Sequence, residues 1–332
     1  MKWLGCFMSS ALGAAIALTV PQAINAQEFP QGPVSLVVGF EPGGESDTGA
    51  RGIAPFWEKH LGVPVVIDSR PGAAMQIALE YSWAKPHDGH TVLWHNQQYL
   101  SALEITDPEM PYRTDQWVWL EVLENDPAVI VVHAESEWQT LQDLVNDMKA
   151  RPGEITVGLL TGSVQLLGCK RLFEDILGVQ FREVPQQSGA PMRTSLVGRH
   201  IDMICTNAAG TYALGDDVRT LAVFNDQGTK FLPDAPAVNK VLEEMGVSER
   251  MPDLGSLRGA AVPKDFADNH PEDFKKLYDT YKAAVGSAEY QAWLKEAGRT
   301  EITQSLSMEE SNRQIAAYNQ FFQDNKDIFL GQ

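Results

Sequence analysis

Several short stretches place polar side chains and glycine where an apolar run ends. The first, residues 34–47 (VSLVVGFEPGGESD), carries an apolar run into Phe40, Pro42, Gly43 and Gly44 and then to Ser46 and Asp47. A strand that feeds a glycine turn and then a helix leaves unpaired backbone N–H groups at the helix start, where the helix dipole also favours negative charge. Such a turn can seat an anion. Gly43 and Gly44 allow close approach of a ligand and positive φ, and Ser46 or Asp47 is expected to cap the following helix. An ordinary strand-to-helix corner uses the same residue types, so this turn alone does not separate seat from corner.

The second stretch is His95, Asn96, Gln97, Gln98 and Tyr99, dense in donors and acceptors after a strand read at 90–94. It reads as a pocket lip or as a solvated loop. The third repeats the opening design: residues 155–160 run into Thr161, Gly162 and Ser163, with Gln165 just inside the next helix. The fourth is Gln187, Ser188, Gly189 and Ala190 after the strand at 179–184, and Asn207 then follows the strand at 201–205. Ligands in open α/β sheets sit beyond the carboxyl ends of strands. These polar ends are therefore expected to face one cleft.

Catalysis fits less well. Ser46 sits where a nucleophile elbow would place a serine, but Gly44-Glu45-Ser46-Asp47-Thr48 lacks the last glycine of GxSxG. The flanking carboxylates would oppose an alkoxide. Seven histidines supply possible bases, yet none stands in a recognisable motif, and HExxH, GxxxxGK[ST] and CxxC are absent. No catalytic residue, metal site or cofactor is expected. An exported serine hydrolase using Ser46 remains the rival from the enzyme class.

The elements that would position these residues alternate. Residues 34–38, 63–67, 90–94, 128–132, 155–160, 179–184, 201–205 and 219–223 read as strands, with helical patterns between them, which predicts α/β layers with largely parallel sheets. Past residue 223 the character changes, with Pro233, Pro236, Pro252 and Pro263 read as loop residues. Helices close the chain. Pro271 opens one, Gly298 stops another, and Ser307 with Glu310 has the form of a capping box before a third.

With 332 residues and 44% hydrophobic content the chain can bury a large core, and its length suggests two domains. Lys2, an apolar run to Val20 and Ile24-Asn25-Ala26 fit a secretory signal cleaved after Ala26. The run is also close in length to a short membrane anchor. Net charge is −18, and the leader removes Lys2 and no acid, so the remainder is one unit more negative. That argues against nucleic acid and anionic membranes as partners, though not against a small anion, since distant charges are screened over about 8 Å. Cys6 falls in the leader. Cys169 and Cys205 could pair in an exported chain, but each lies in an apolar pattern, as expected of buried free thiols.

At this point the residues carry a resemblance. VSLVVGFEPGGESD, VPVVIDSRPGA, KPHDGHTVLW, ARPGEITVGLLTGS, VPQQSGAP and GRHIDMICTNAAG, in this order and spacing, resemble the Bug-type extracytoplasmic receptors of tripartite tricarboxylate transporters. The likeness spans nearly the whole chain after the leader. It implies the type II periplasmic-binding-protein fold, two α/β lobes joined by a double crossover around a ligand cleft, with residues 27–126 in lobe 1, 127–223 in lobe 2 and 224–332 returning to lobe 1. It implies a monomeric periplasmic receptor, not an enzyme, that binds a small organic acid and hands it to membrane permease subunits. A receptor presenting its ligand to a sensor kinase is the alternative. By the same resemblance Phe40, Pro42, Gly43, Gly44, Ser46 and Asp47 meet a ligand carboxylate, and Asn96 and Gln97 stand where the family often has hydroxyl residues. Thr161, Gly162, Ser163 and Gln165, then Gln187, Gly189 and Ala190, then Asn207 contribute from lobe 2. The chain departs from the family at Glu45, where a small residue or glycine is usual, at Leu166 and Leu167, and at Gln186, Gln187 and Ser188.

Overall fold

The computed structural model describes Met1 and residues 28–186, 188–304 and 306–330. The leader with its expected cleavage after Ala26, and the candidate Gln187, lie outside the described residues. In chain order the elements are β1 (Val34–Val38), α1 (Glu45–Leu61), β2 (Val65–Ser69), α2 (Gln76–Trp83), β3 (Thr91–Asn96) and α3 (Gln97–Thr106). A long strand, β4 (Trp117–His133), leads to α4 (Leu141–Ala150), β5 (Thr156–Leu160), α5 (Val164–Lys170), β6 (Arg182–Gln186), α6 (Gly189–Val197), β7 (Met203–Asn207), α7 (Ala208–Tyr212), β8 (Val218–Val223) and α8 (Val238–Glu244). The chain closes with β9 (Gly255–Pro263), α9 (Lys264–Asn269), α10 (Pro271–Val285), α11 (Ala288–Glu296), α12 (Met308–Asp324) and α13 (Asp327–Leu330).

Two sheets share β4. In the first, β1 lies parallel between β2 and β3, and β3 continues through antiparallel β9 to β4. The ladder between β4 and β9 ends at Pro127 opposite Gly255, where proline has no N–H to offer. From Ala128 onward β4 pairs antiparallel with β7 and β8, and β5 joins β7 to β6 in parallel. The expected parallel pairing thus holds on the flanks, while the crossing strands β4 and β9 run antiparallel to their neighbours. The loop expected between Pro252 and Pro263 is in fact β9.

Each sheet is covered on both faces. Strand periodicity sends Trp94 of β3 into the core under α1, α10 and α11, and its neighbour Leu93 into the core under α2, α3 and α12. In the second sheet Ile130 and Val132 of β4 pack with α4, α5 and α8, while Val129 and Val131 pack with α6. Phe224, Val238, Val241, Leu242, Met251 and Leu254 belong to that second-sheet core. These residues lie in the stretch 224–254, and their burial is with the second sheet. Cys169 and Cys205 are disulfide-bonded, with Cα atoms 6.6 Å apart. This corrects the expectation of free thiols: both are fully buried, but on facing elements, α5 and β7.

Candidate ligand site

The first turn is tighter than its sequence suggests. Gly43 has φ 85, the left-handed conformation that favours glycine, whereas Gly44 has φ −79 and ψ 173, open to any residue. Gly44 is the N-cap of α1, and no side chain caps this helix. The capping expected of Ser46 or Asp47 does not occur, because α1 starts ahead of both. Asp47 instead accepts the N–H of Gly43 at 2.9 Å and pairs with Arg51 one turn on at 2.9 Å. The N–H of Gly44 points at the Glu41 carbonyl at 3.4 Å. Ser46 is buried and exchanges hydrogen bonds with Asn96 at the end of β3, Asn96 Nδ2 donating to its Oγ at 2.9 Å. Phe40 packs its ring on Tyr99 of α3, 5.0 Å between centroids.

The polar cluster after Trp94 is a strand end and a helix, not a loop. Gln97 turns inward, fully buried, and donates to Ser101 and Thr114 at 2.9 Å each. Its Nε2 is thus bonded to none of the other candidates, while its Oε1 is buried without a hydrogen-bond partner among the described residues. Gln98, named in that cluster but not among the expected ligand contacts, donates to Ser256 of β9 at 3.0 Å, and Gln165 of α5 donates to the same hydroxyl at 3.2 Å. Ser256 in turn donates to Asn207 Oδ1 at 3.1 Å, and Asn207 Nδ2 donates to the Asp126 carbonyl at 2.7 Å. Gln165 and Asn207 are thus brought together on the crossing strands.

In the third stretch Ser163 is buried and caps α5, accepting the N–H of Leu166 at 3.1 Å. Thr161 is exposed. Gly162 lies against the first sheet's layer: a Cβ there would be 3.6 Å from Ala102, 3.7 Å from Tyr99 and 3.9 Å from Ala74. Ala74 belongs to a run, Ala73 to Met75, in which three residues other than glycine take positive φ, each costing about 1–3 kcal/mol. Gly189 opens α6, and Ala190 beside it is exposed.

Beneath these residues lies a buried charge network that local sequence patterns did not reveal. Arg258 of β9 stands opposite Glu124 of β4 in the ladder and bonds it at 2.7 Å, with Asp126 at 2.9 Å on its other nitrogen. Arg299 bonds the second oxygen of Glu124 at 2.8 Å and Glu45 at 2.9 Å. Arg258 is 2% exposed, and Glu124 and Asp126 are fully buried. Burial works against charge on Arg258, but Asp126, Glu124 and Glu45 outweigh it and raise its pKa. Burial raises the Asp126 pKa against the pull of Arg258. Burial also opposes charge on Glu45, but Arg258, Arg299 and Arg193 outweigh it and hold its carboxyl below the usual range. Gly49 leaves room for the network, since a Cβ there would sit 2.9 Å from Glu124 Oε1.

Residues 50–327 match the family described as tripartite tricarboxylate transporter family receptor, TctC. The chain belongs to this receptor family. It is 26% identical to protein BugT of Bordetella pertussis over 74% of this chain and 73% of BugT. Among solved structures it resembles Rpa4515 of R. palustris with adipate, with TM-score 0.75, 25% identity and coverage of 91% of this chain and 98% of that one. MatC from Rhodopseudomonas palustris with bound malate has the same TM-score at 21% identity, covering 91% and 100%. The fold is that of two-lobe solute-binding proteins, and the receptor is a binding protein, not an enzyme. Ser46 of the receptor bonds Asn96. No group of His, Cys, Asp or Glu able to hold a metal, and no helix long and apolar enough to cross a membrane, occurs among the described residues. A surface cavity of about 940 Å³ between α4, α8 and the outer edge of β8, lined by Leu141, Val218, Leu221, Phe231 and Met245, contains none of the candidate residues.

Proposed function

We propose that this receptor captures a small organic acid in the periplasm, between its two lobes, and delivers it to the membrane subunits of a tripartite transporter. The placement of candidates from both sheets along β9 carries the reading: Asn96 of the first sheet stands opposite Arg258 in the ladder, and Gln165 and Asn207 from the second both bond Ser256, beside the point where β4 passes from one sheet to the other. The adipate and malate named with two structural relatives support a carboxylate as the ligand. We place the lobes at 27–126 with 255–332, and at 127–254. The ligand contacts we assign are the first turn of α1 from Gly44 to Asp47, with Phe40, Asn96, the Thr161–Gln165 turn, Gly189, Ala190 and Asn207. Export with cleavage after Ala26 completes the reading. A thermal-shift screen of organic acids tests it: a ligand at a hundred times its Kd adds about 2.7 kcal/mol of stability. A screen in which no acid raises Tm contradicts it.

A further inference from the structure

Arg193 has no hydrogen-bond or ion-pair partner among the described residues. It sits one turn into α6, and helical side chains lean toward the N-terminus. Its guanidinium therefore reaches back over the start of the helix. A Cβ on Gly189 would lie 3.1 Å from its Nη1, and one on Gly210 of α7 would lie 2.9 Å from its Cζ. Two glycines thus clear a bed for this half-buried cation near the start of α7, where Asn207 holds the N-cap position without a side-chain capping bond. Ala209, next to Gly210, donates to Asp126, and Asp126 is joined through Arg258 and Glu124 to Arg299 and so to Glu45, whose carboxyl the Arg193 charge also helps to hold low. Glu45 is held on the first turn of α1 by Arg299, and Arg299 is itself held by Glu124. The first lobe therefore presents a fixed carboxylate at the place where its helix start would otherwise favour an anion. The second presents a free guanidinium, a group suited to pair with a carboxylate through two parallel hydrogen bonds.

We propose that Arg193 and Glu45 set the charge of the ligand: Arg193 pairs with the one carboxylate of a monocarboxylic acid, and Glu45 bars a second carboxylate and accepts a hydrogen bond from a hydroxyl or ammonium group at the far end. This rests on the receptor reading and fixes which way round the acid lies. The test is calorimetric titration of the whole protein with matched linear dicarboxylates, ω-hydroxy acids and ω-amino acids, from succinate to adipate in length. Parent, Arg193→Met and Glu45→Gln are compared, with melting curves for each. The parent should bind the hydroxy or amino acid more tightly than the dicarboxylate of equal length. Arg193→Met should weaken that binding about 10- to 100-fold. Glu45→Gln should move preference toward the dicarboxylate. If the dicarboxylate binds the parent best, or Arg193→Met binds as the parent does, this assignment falls and the receptor reading stands. If no acid binds any of the three proteins, both fall.

Discussion

His95 neighbours Asn96 on β3 but points to the opposite face, into the core with Trp119, the rings stacked 4.9 Å apart. Neither ring nitrogen finds a well-formed hydrogen bond among the described residues, and burial, partly offset by the Asn96 backbone, pushes its pKa down to about 3. The unfolded chain takes up this proton near the ordinary histidine pKa, while the folded chain resists until far lower. Between the two values the unfolded state holds the extra proton, so stability falls as pH falls. From about pH 6.5 to pH 5 the parent should lose roughly 1.5 kcal/mol more than His95→Phe. Urea denaturation at both pH values checks this, and equal losses in the two proteins would contradict it. At this scale the sequence showed less than the structure. Glu124 and Arg258 are 134 positions apart and carry no motif, so only the register of β4 on β9 reveals that they pair. Glu45 did stand out, as a departure from the family, but its partner Arg299 lies 254 positions away. Such buried pairs are costly to break from one side, and no local pattern encodes them.

Elements with local signals were legible. The Ser307-x-x-Glu310 box is formed as expected, with the N–H of Glu310 donating to Ser307 Oγ at 3.1 Å and Glu310 accepting the N–H of Ser307 at 2.9 Å. Ser307→Ala should lower stability by about 1 kcal/mol and leave ligand affinity unchanged, because α12 begins outside the candidate site. Denaturation and titration of the variant would show it; a loss of affinity at full stability would place this helix start in the site. β9 escaped notice for a physical reason. All nine of its residues are buried, so the alternation that marks a half-exposed strand is absent, and Arg258 and Gly259 interrupt the apolar run. α3 was hidden by its polar first turn. Gln97 and Gln98 spend their donors on buried hydroxyls, which no propensity anticipates.

The whole molecule joins two sheet cores with a limited set of connectors. β4 and β9 carry the chain between them, and α12 spans both, with Ile315 in a first-sheet core and Phe322 in the second. Alternating strands and helices announced the layered α/β class. The packing of residues 224–254 was not announced, because its core partners include α4 and α5, elements far back in sequence. The site claimed for this architecture lies where the two sheets meet, and Gly44 offers the most direct test of it. Its φ of −79 suits any residue, and a Cβ there would find only the Glu41 carbonyl, at 3.5 Å. Gly44→Val should therefore fold with little change in Tm, whereas a turn of strained glycines would not tolerate it. Its side chain would stand over the first turn of α1 and obstruct the ligand. The measurement is calorimetric titration of parent and Gly44→Val with the acid that most raises Tm. The parent should show one saturable site, and the variant should melt normally while binding at least tenfold more weakly, about 1.4 kcal/mol. Equal affinity in the two proteins would contradict it.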